Sequence, residues 1–294
     1  MRQAETPSLL RWLYRLDIDG VVNVRATLQR GAEIALRKTT IAAEAYAHAN
    51  TDSFLNRIVT SQDEDARRGI SRVITIVDRT SHLIRCYGEL TGHSARRNAR
   101  LRQRPAFLRM IDSLTTREYE ALGCLAMRFA GASEVAVTRS GTEGGIDFFA
   151  LISAPGRCHL FAGGNNALRI IGQSKKYVRP VSADKVKEFI TTMDEVKFGG
   201  EPKTERIIPA WFRSAKGPIV GCIVGHNGFQ SGAVSRARKH GIIIADSLDM
   251  AELIALSRGI PEHFQPAERL VYCKGELNGF LPTAERSQSA RFYT

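Results

Sequence analysis

The chain has 294 residues, of which 43% are hydrophobic and 24% charged, so it can form one large folded domain or two ordinary ones. This composition argues against wholesale disorder, and no stretch approaches the roughly 18 apolar residues that a membrane-spanning helix needs. A formal net charge of +12 favours polyanionic partners, but charge alone does not choose between DNA, RNA and an anionic membrane surface.

The five cysteines are scattered along the chain, and none forms a C-x-x-C pair. An odd and dispersed set fits a reducing compartment better than a disulfide framework, and the spacing of a zinc site is absent. We therefore expect a cytoplasmic protein whose cysteines are small buried side chains, namely Cys86, Cys124, Cys158, Cys222 and Cys273.

Residues 1–112 are predicted to form a helical N-terminal domain. Residues 28–49 are rich in alanine, with apolar residues at helical spacing. The capping-box pattern Ser61–Glu64 precedes a second apolar stripe that runs from Ile70 to Tyr87. A helical hairpin without chemistry of its own is the favoured interpretation. DNA recognition, self-association and regulation are the other roles we consider.

A run of arginines lies near the end of this region. It is interpreted either as a solvated helix face or as a strip that contacts phosphates, and the two interpretations have about equal support. If the strip contacts phosphates, Arg97, Arg100 and Arg104 are the predicted nucleic-acid contacts. The whole run comprises Arg96, Arg97, Arg100, Arg102, Arg104 and Arg109.

From residue 113 onward, helices and strands alternate. Thr115–Glu118 is a capping box that opens a helix through Phe129. The order of the remaining elements predicts an α/β domain over residues 113–258, with three layers and a mixed sheet. The last residues, 259–294, contain several prolines and little periodicity, so a C-terminal tail is predicted there. The predicted strands are 134–139, 146–153, 168–177, 218–224 and 241–245, and the later helices begin after Ser182 and span 230–240 and 248–256.

Three polar residues in the predicted sheet carry the chemistry. Asp147 opens a strand directly after a glycine turn, and Gln173-Ser174-Lys175 ends the next strand. Residues i and i+2 share one face of a strand, so Gln173 and Lys175 can address one metal ion and one phosphate. Hydrolysis of a phosphodiester needs a metal with oxygen ligands and a cation that orients water, and this set provides both.

Each of these features alone is usually structural. An aspartate after glycines is most often a turn residue, and a Q-x-K at a strand end is most often a solvated face. Glu120, on the preceding helix, offers another carboxylate but is most simply an exposed helix residue. His226, at a strand end, is a weaker candidate for which an ordinary loop histidine is favoured.

Residues 115–256 resemble the Mrr-like restriction endonuclease domain of the PD-(D/E)XK nuclease superfamily. The resemblance is carried, in order, by Tyr119-Glu120, Val137-Thr138, the turn Gly141–Asp147, the strand Gln173–Tyr177 and Val186–Phe189. It implies a three-layer restriction-endonuclease-like core with a mixed sheet. Three features depart from the family pattern. The stretch from Asp147 to Gln173 is long and is interpreted as an extended hairpin or an inserted loop, and the segment after Phe198, through Lys216, is interpreted as an insertion. Glu143 stands where the family often has an aspartate.

The resemblance also implies roles for single residues. Asp147 and Gln173 would bind Mg²⁺, or Mn²⁺, together with the main-chain carbonyl of Ser174. Lys175 would act on the attacking water, and Glu120 would be an outer-shell or second-metal ligand. Lys176 is predicted to contact nucleic acid together with the arginines.

The sequence thus predicts a metal-dependent endonuclease that acts on DNA, and the resemblance implies a role in restriction or antiphage defence. A homodimer or larger oligomer and a partner protein of a defence system are further expectations, and no membrane partner is expected. Two alternatives stay open. One is a catalytically inactive nuclease-fold subunit that binds nucleic acid for a partner enzyme, and the other is a nuclease that acts on RNA.

Overall fold

The computed structural model of the protein forms two compact units, Met1–Arg109 and Met110–Thr294. The division falls a few residues before the predicted boundary after residue 112. No helix in the described residues is both long enough and apolar enough to cross a membrane. The structure describes residues 6–16, 18, 20–67, 74–86, 97, 99–139, 145–153, 167–199 and 207–282.

The first unit contains both helices and a small sheet. The antiparallel sheet has the strand order β1-β3-β2. An apolar core that includes Leu9, Trp12, Leu28 and Phe54 stabilises the unit by removing these side chains from water. The described elements are α1 (Thr6–Arg15), β1 (Gly20–Asn23), α2 (Val24–Ile34), α3 (Thr40–Arg67), β2 (Ile74–Asp78) and β3 (Leu83–Cys86).

Within the predicted helical N-terminal region, two segments differ from the prediction. The stripe from Ile70 to Tyr87 is a β-hairpin over its described residues, and Ile74, Ile84 and Cys86 are buried. Apolar residues at these positions suit a strand as well as a helix, so the spacing alone did not decide between them. The predicted helix over residues 28–49 is divided between α2 and α3, where Arg37 has a φ of 54°.

The second unit is built on a mixed sheet of five strands in the order β4-β5-β6-β7-β8. The β4–β5 and β5–β6 pairs are antiparallel, while the β6–β7 and β7–β8 pairs are parallel. The strands are β4 (Glu134–Val137), β5 (Phe148–Ser153), β6 (Ala167–Lys175), β7 (Ile219–Gly225) and β8 (Ile243–Asp246).

The helix α4 (Arg104–Ser113) contains the division between the units. The helices that come after α4 in the chain cover both faces of the sheet. On one face Phe148 packs closely against Gly123, and on the other Phe149 belongs to one buried cluster with Phe189 and Ala233. The predicted α/β class with a mixed sheet is thus confirmed. The helices are α5 (Thr116–Phe129), α6 (Ala183–Phe198), α7 (Ala210–Ser214), α8 (Ser231–Lys239) and α9 (Ser247–Leu256).

The predicted C-terminal tail contains a further helix, α10 (Pro266–Phe280), which packs against α5. Cys273 and Leu277 are buried, so this helix belongs to the folded unit. Gln265 and Glu268 form a capping box, and Pro266 occupies the first turn, where a proline is compatible with a helix. The prolines of this segment predict irregular structure, whereas Pro266 begins a helix.

The described cysteines are free and buried, as the sequence predicts. Burial disfavours a charged thiolate, so it raises the pKa of Cys86 to about 11 and that of Cys222 to about 12. Cys158 lies outside the described residues. The buried free cysteines are Cys86, Cys124, Cys222 and Cys273.

Candidate active site

Asp147 and Lys175 lie at the same edge of the five-stranded sheet. Phe148 pairs with Gly172 in the antiparallel β5–β6 ladder, so the start of β5 meets the end of β6. Strands β7 and β8 run parallel to β6 and end at this edge as well. We call the edge where β5 begins and β6, β7 and β8 end the site edge.

Two hydrogen bonds to the main chain of β6 hold Asp147. Its carboxylate Oδ2 accepts from the Ser174 N–H at 2.6 Å, and its own N–H donates to the Gly172 carbonyl at 2.8 Å. The N–H and C=O of one strand residue face the same neighbouring strand. The Ser174 carbonyl therefore faces β5 as well, on the side of the Asp147 carboxylate.

Gln173 is buried, with 6% of its surface exposed, and its side-chain amide is oriented by the turn before Asp147. Its Nε2 donates to the Gly145 carbonyl at 2.5 Å, which leaves Oε1 as the atom that can bind a cation. Gly145 has a φ of 66°, and a Cβ there would lie 3.1 Å from Gln173 Nε2, so both backbone and space favour glycine. The rest of the predicted turn, Gly141–Gly144, lies outside the described residues.

Lys175 is the last residue of β6 and is partly exposed. Its Nζ lies 5.9 Å from the centre of the Tyr177 ring. Within the described part of the chain, this ammonium group makes no hydrogen bond or ion pair. The group is thus available to a ligand at the site edge.

Burial raises the pKa of Asp147 from 3.8 to about 6, because the charged carboxylate loses contact with water. The hydrogen bond from the Ser174 N–H acts against this rise, the charge of Glu120 adds to it, and Lys175 and Arg117 oppose it. Asp147 is therefore an ionised carboxylate at neutral pH whose charge is only partly compensated by the protein.

Glu120 is close enough to act on Asp147, and it is paired with a residue that the sequence analysis missed. Arg117 Nη1 donates to Glu120 Oε2 at 2.5 Å, and Arg117 Nη2 donates to the Thr138 carbonyl at 2.5 Å. Arg117 thereby joins α5 to the end of β4 next to Asp147. The i, i+3 spacing of Arg117 and Glu120 on one helix is the signal that identifies such a pair.

The described residues fit a single hard cation better than a zinc-type site. They contain no group of three or more His, Cys, Asp or Glu side chains that could hold a metal ion. Asp147 instead combines with an amide oxygen of Gln173 and the carbonyl of Ser174. Mg²⁺ prefers oxygen ligands and retains several waters, so it can be bound by one or two carboxylates. The buried and only partly compensated charge of Asp147 is the feature that favours a cation here.

Two of the predicted nucleic-acid contacts are used inside the protein instead. Arg104 is only 1% exposed, and its guanidinium group stacks over the Tyr14 ring at 4.2 Å within the first unit, so it does not reach a phosphate. Lys176 donates from Nζ to the carbonyls of Asp112 and Leu114 and so caps the end of α4. Arg97 and Arg100 are half-buried and stay predictions, and Arg96 lies outside the described residues.

Replacing Asp147 by asparagine is expected to stabilise the metal-free protein at pH 7.5. The folded pKa of about 6 lies above the unfolded one, so the ionised carboxylate destabilises the fold at neutral pH. The penalty decreases as the pH falls through 6 and is absent below about 4. Two pKa units correspond to roughly 3 kcal/mol, so a gain of up to that size is expected at pH 7.5, and less than about 1 kcal/mol at pH 4.

Urea unfolding in EDTA at the two pH values measures this difference. Glu134→Gln, at the exposed start of β4, controls for the loss of one negative charge from a basic chain. An asparagine variant that is no more stable than the wild type at pH 7.5 would contradict the burial of a charged carboxylate.

No protein-family model matches the chain, and no curated protein is similar to it in sequence.

Several solved structures are similar to the chain. The DNA modification-dependent restriction endonuclease AspBHI has 14% sequence identity and a TM-score of 0.41, over 59% of this chain and 39% of its own. The MspJI restriction endonuclease, in complex with a 27-mer oligonucleotide, has 15% identity and a TM-score of 0.40, over 67% and 41%. The restriction endonuclease FokI has 9% identity and a TM-score of 0.31, over 97% and 46%. The chain thus spans less than half the length of each.

Proposed function

We propose that the chain is a cytoplasmic metal-dependent endonuclease of the Mrr-like type that hydrolyses phosphodiester bonds of DNA. The observation that carries the proposal is the placement of Asp147 and Lys175 at the site edge. Asp147 carries a buried charge that the protein only partly compensates, and Lys175 has an available ammonium group. Gln173 and Ser174, which precede Lys175 in β6, add oxygen atoms of the kind that a hard cation binds.

The protein residues would divide the work between holding a cation and positioning the reactants. The Asp147 carboxylate, the Gln173 amide oxygen and the Ser174 carbonyl would hold a Mg²⁺ or Mn²⁺ ion. When bound, such an ion supplies neutralisation of the developing charge and polarisation of a water. Lys175 would donate a hydrogen bond to the attacking water and stabilise the negative charge that grows on the phosphate oxygens.

Glu120 would act from outside the ligand set in this proposal. Its ion pair with Arg117 keeps the carboxylate close to the site edge, where it can accept hydrogen bonds from water. Arg117 in turn offsets part of the negative charge of Glu120 next to Asp147. The net charge of +12 supports a polyanionic substrate, because releasing the counterions of a nucleic acid favours binding to a basic protein.

The assembly and biological setting follow from the same proposal. One site breaks one strand at a time, so we propose a homodimer or larger assembly for cutting both strands of a duplex. A role in restriction or antiphage defence, with a partner protein of such a system, is proposed from the sequence resemblance alone.

The experiment that tests the function is a cleavage assay with the purified full chain. Supercoiled plasmid and an RNA of matching sequence are incubated with Mg²⁺, with Mn²⁺ and with EDTA. We expect nicked or linear plasmid with either ion, intact RNA, and no product in EDTA. Linear plasmid that forms without accumulation of nicked circles would favour the homodimer.

The other outcomes separate the alternatives. Cleavage that survives in EDTA would refute the metal dependence. Preferential degradation of the RNA would assign the chain to ribonucleases. Binding of DNA without cleavage under any metal would favour a nuclease-fold subunit that binds nucleic acid for a partner enzyme.

A further inference from the structure

Next to the end of β6, four polar side chains from separate segments form a hydrogen-bonded group. His226 Nδ1 lies 3.0 Å from Ser247 Oγ, and Ser247 Oγ also donates to the His226 carbonyl at 3.1 Å. The Tyr119 hydroxyl is 3.2 Å from Ser247 Oγ, and its ring meets the His226 ring edge-on. His226 Nε2 lies 3.5 Å from Asp112 Oδ1. We call Asp112, Tyr119, His226 and Ser247 the His226 cluster.

The His226 cluster has the residue types of a serine-hydrolase triad, but its geometry excludes that activity. A nucleophilic serine must reach its substrate, whereas Ser247 and Tyr119 are 0% exposed. The Ser247 hydroxyl contacts both the ring and the main-chain carbonyl of His226. It therefore fixes the imidazole relative to its own backbone, which indicates a supporting role.

The cluster is joined to the main chain of Lys175 and to the side chain of Lys176 by two separate connections. The His226 N–H donates to the Lys175 carbonyl at 2.9 Å. The Lys176 ammonium donates to the carbonyl of Asp112 at 3.1 Å and to that of Leu114. The backbone at the end of β6 is thus fixed, while the Lys175 side chain beyond it is available.

We propose that His226 is a positioning residue for Lys175, an inference that rests on the proposed nuclease function. Ser247 and Asp112 hold the imidazole, the imidazole sets the His226 peptide N–H, and this N–H sets the Lys175 carbonyl. The direction in which the Lys175 side chain leaves the strand follows from that peptide. A catalytic group displaced by about 1 Å can lose on the order of a hundredfold in rate, so this support is functionally important.

A double-mutant cycle between His226 and Lys175 tests the proposal. His226→Ala, Lys175→Ala and the double variant of the full chain are compared in single-turnover plasmid cleavage with Mg²⁺. DNA affinity is measured by fluorescence anisotropy in EDTA. His226→Ala is expected to lower the cleavage rate roughly tenfold to a hundredfold, with the DNA dissociation constant within about twofold of wild type. On the Lys175→Ala background, the same change should have no further effect, because its target is already absent.

Two further variants keep the test decisive. Asp112→Asn retains the size of a partly exposed side chain and removes the charge that faces Nε2. It should lower the rate several-fold, again only when Lys175 is present. His240→Ala, at the exposed end of α8, is the matched control and should cleave at the wild-type rate.

The failures are distinguishable. A wild-type chain that cleaves no DNA would overturn the proposed function, and this inference with it. An active wild type would overturn the inference alone if His226→Ala and Asp112→Asn both left the rate unchanged. The inference alone would also be overturned if His226→Ala lowered the cleavage rate equally with and without Lys175. Weaker DNA binding by His226→Ala, in place of slower cleavage, would overturn it as well.

Discussion

Replacing Lys175 or Asp147 by alanine is expected to lower DNA cleavage by at least about a hundredfold, the scale observed when one electrostatic group is lost from an active site. Lys175→Ala removes the donor that would stabilise the developing phosphate charge. Asp147→Ala removes the only carboxylate in the proposed ligand set. Single-turnover cleavage with saturating protein measures the chemical step directly, because it is independent of product release.

A charge-matched control is needed, because a protein of net charge +12 also attracts DNA non-specifically. Lys197 lies at the exposed C-terminal end of α6, away in sequence from the site residues. Lys197→Ala removes one positive charge, as Lys175→Ala does, and should cleave DNA at the wild-type rate. DNA affinity of Lys175→Ala should fall no more than that of Lys197→Ala. Variants of Lys175 and Asp147 that cleave within a few-fold of wild type would refute the assignment of this edge as the active site.

The second large effect is expected on stability. Phe148 is fully buried beside Asp147, and its ring lies against two glycines, Gly123 in α5 and Gly172 in β6. A Cβ on either glycine would fall well inside van der Waals contact with that ring. Gly172→Ala must therefore displace Phe148 or the strand. Overpacking of a core costs about 1–3 kcal/mol, and a clash with a rigid aromatic ring is expected at the upper end of that range.

Urea unfolding measures this cost, and the chain offers a matched control and a rescue. Gly275 in α10 has no neighbour within 4 Å of a Cβ among the described atoms. Gly275→Ala should therefore stabilise the protein by roughly 0.5–1 kcal/mol through helix propensity. Adding Phe148→Leu to Gly172→Ala should recover part of the lost stability. A Gly172→Ala variant as stable as wild type would show that the ring is not fixed by these contacts.

The local elements of the second unit could be predicted from the sequence because their signals are short-range. Thr115 and Glu118 form the predicted capping box, and the apolar runs of the sheet appear as strands within a few residues of their predicted ends. The same local rule places Gln173 and Lys175 on one face of β6. That Asp147 lies opposite them follows from consecutive strands pairing in antiparallel order.

Elements with ambiguous local signals were decided by their partners. Ile74–Asp78 and Leu83–Cys86 have apolar spacings that suit a helix or a strand, and pairing with each other and with β1 makes them strands. Likewise, a proline such as Pro266 is compatible with irregular structure or with the first turn of a helix. In the folded unit this segment is a helix, and the burial of its Cys273 and Leu277 side chains stabilises it.

The roles of single charged residues could not be predicted from the sequence. Arg104 and Lys176 look like their neighbours in a basic stretch, yet one stacks on Tyr14 and the other caps α4. The sequence determined which residue types stand at the ends of which strands, because backbone periodicity is set by neighbours along the chain. Only the tertiary structure decided which charges are buried, paired or available, because burial and hydrogen bonding depend on groups that are distant in sequence and meet only in the folded protein.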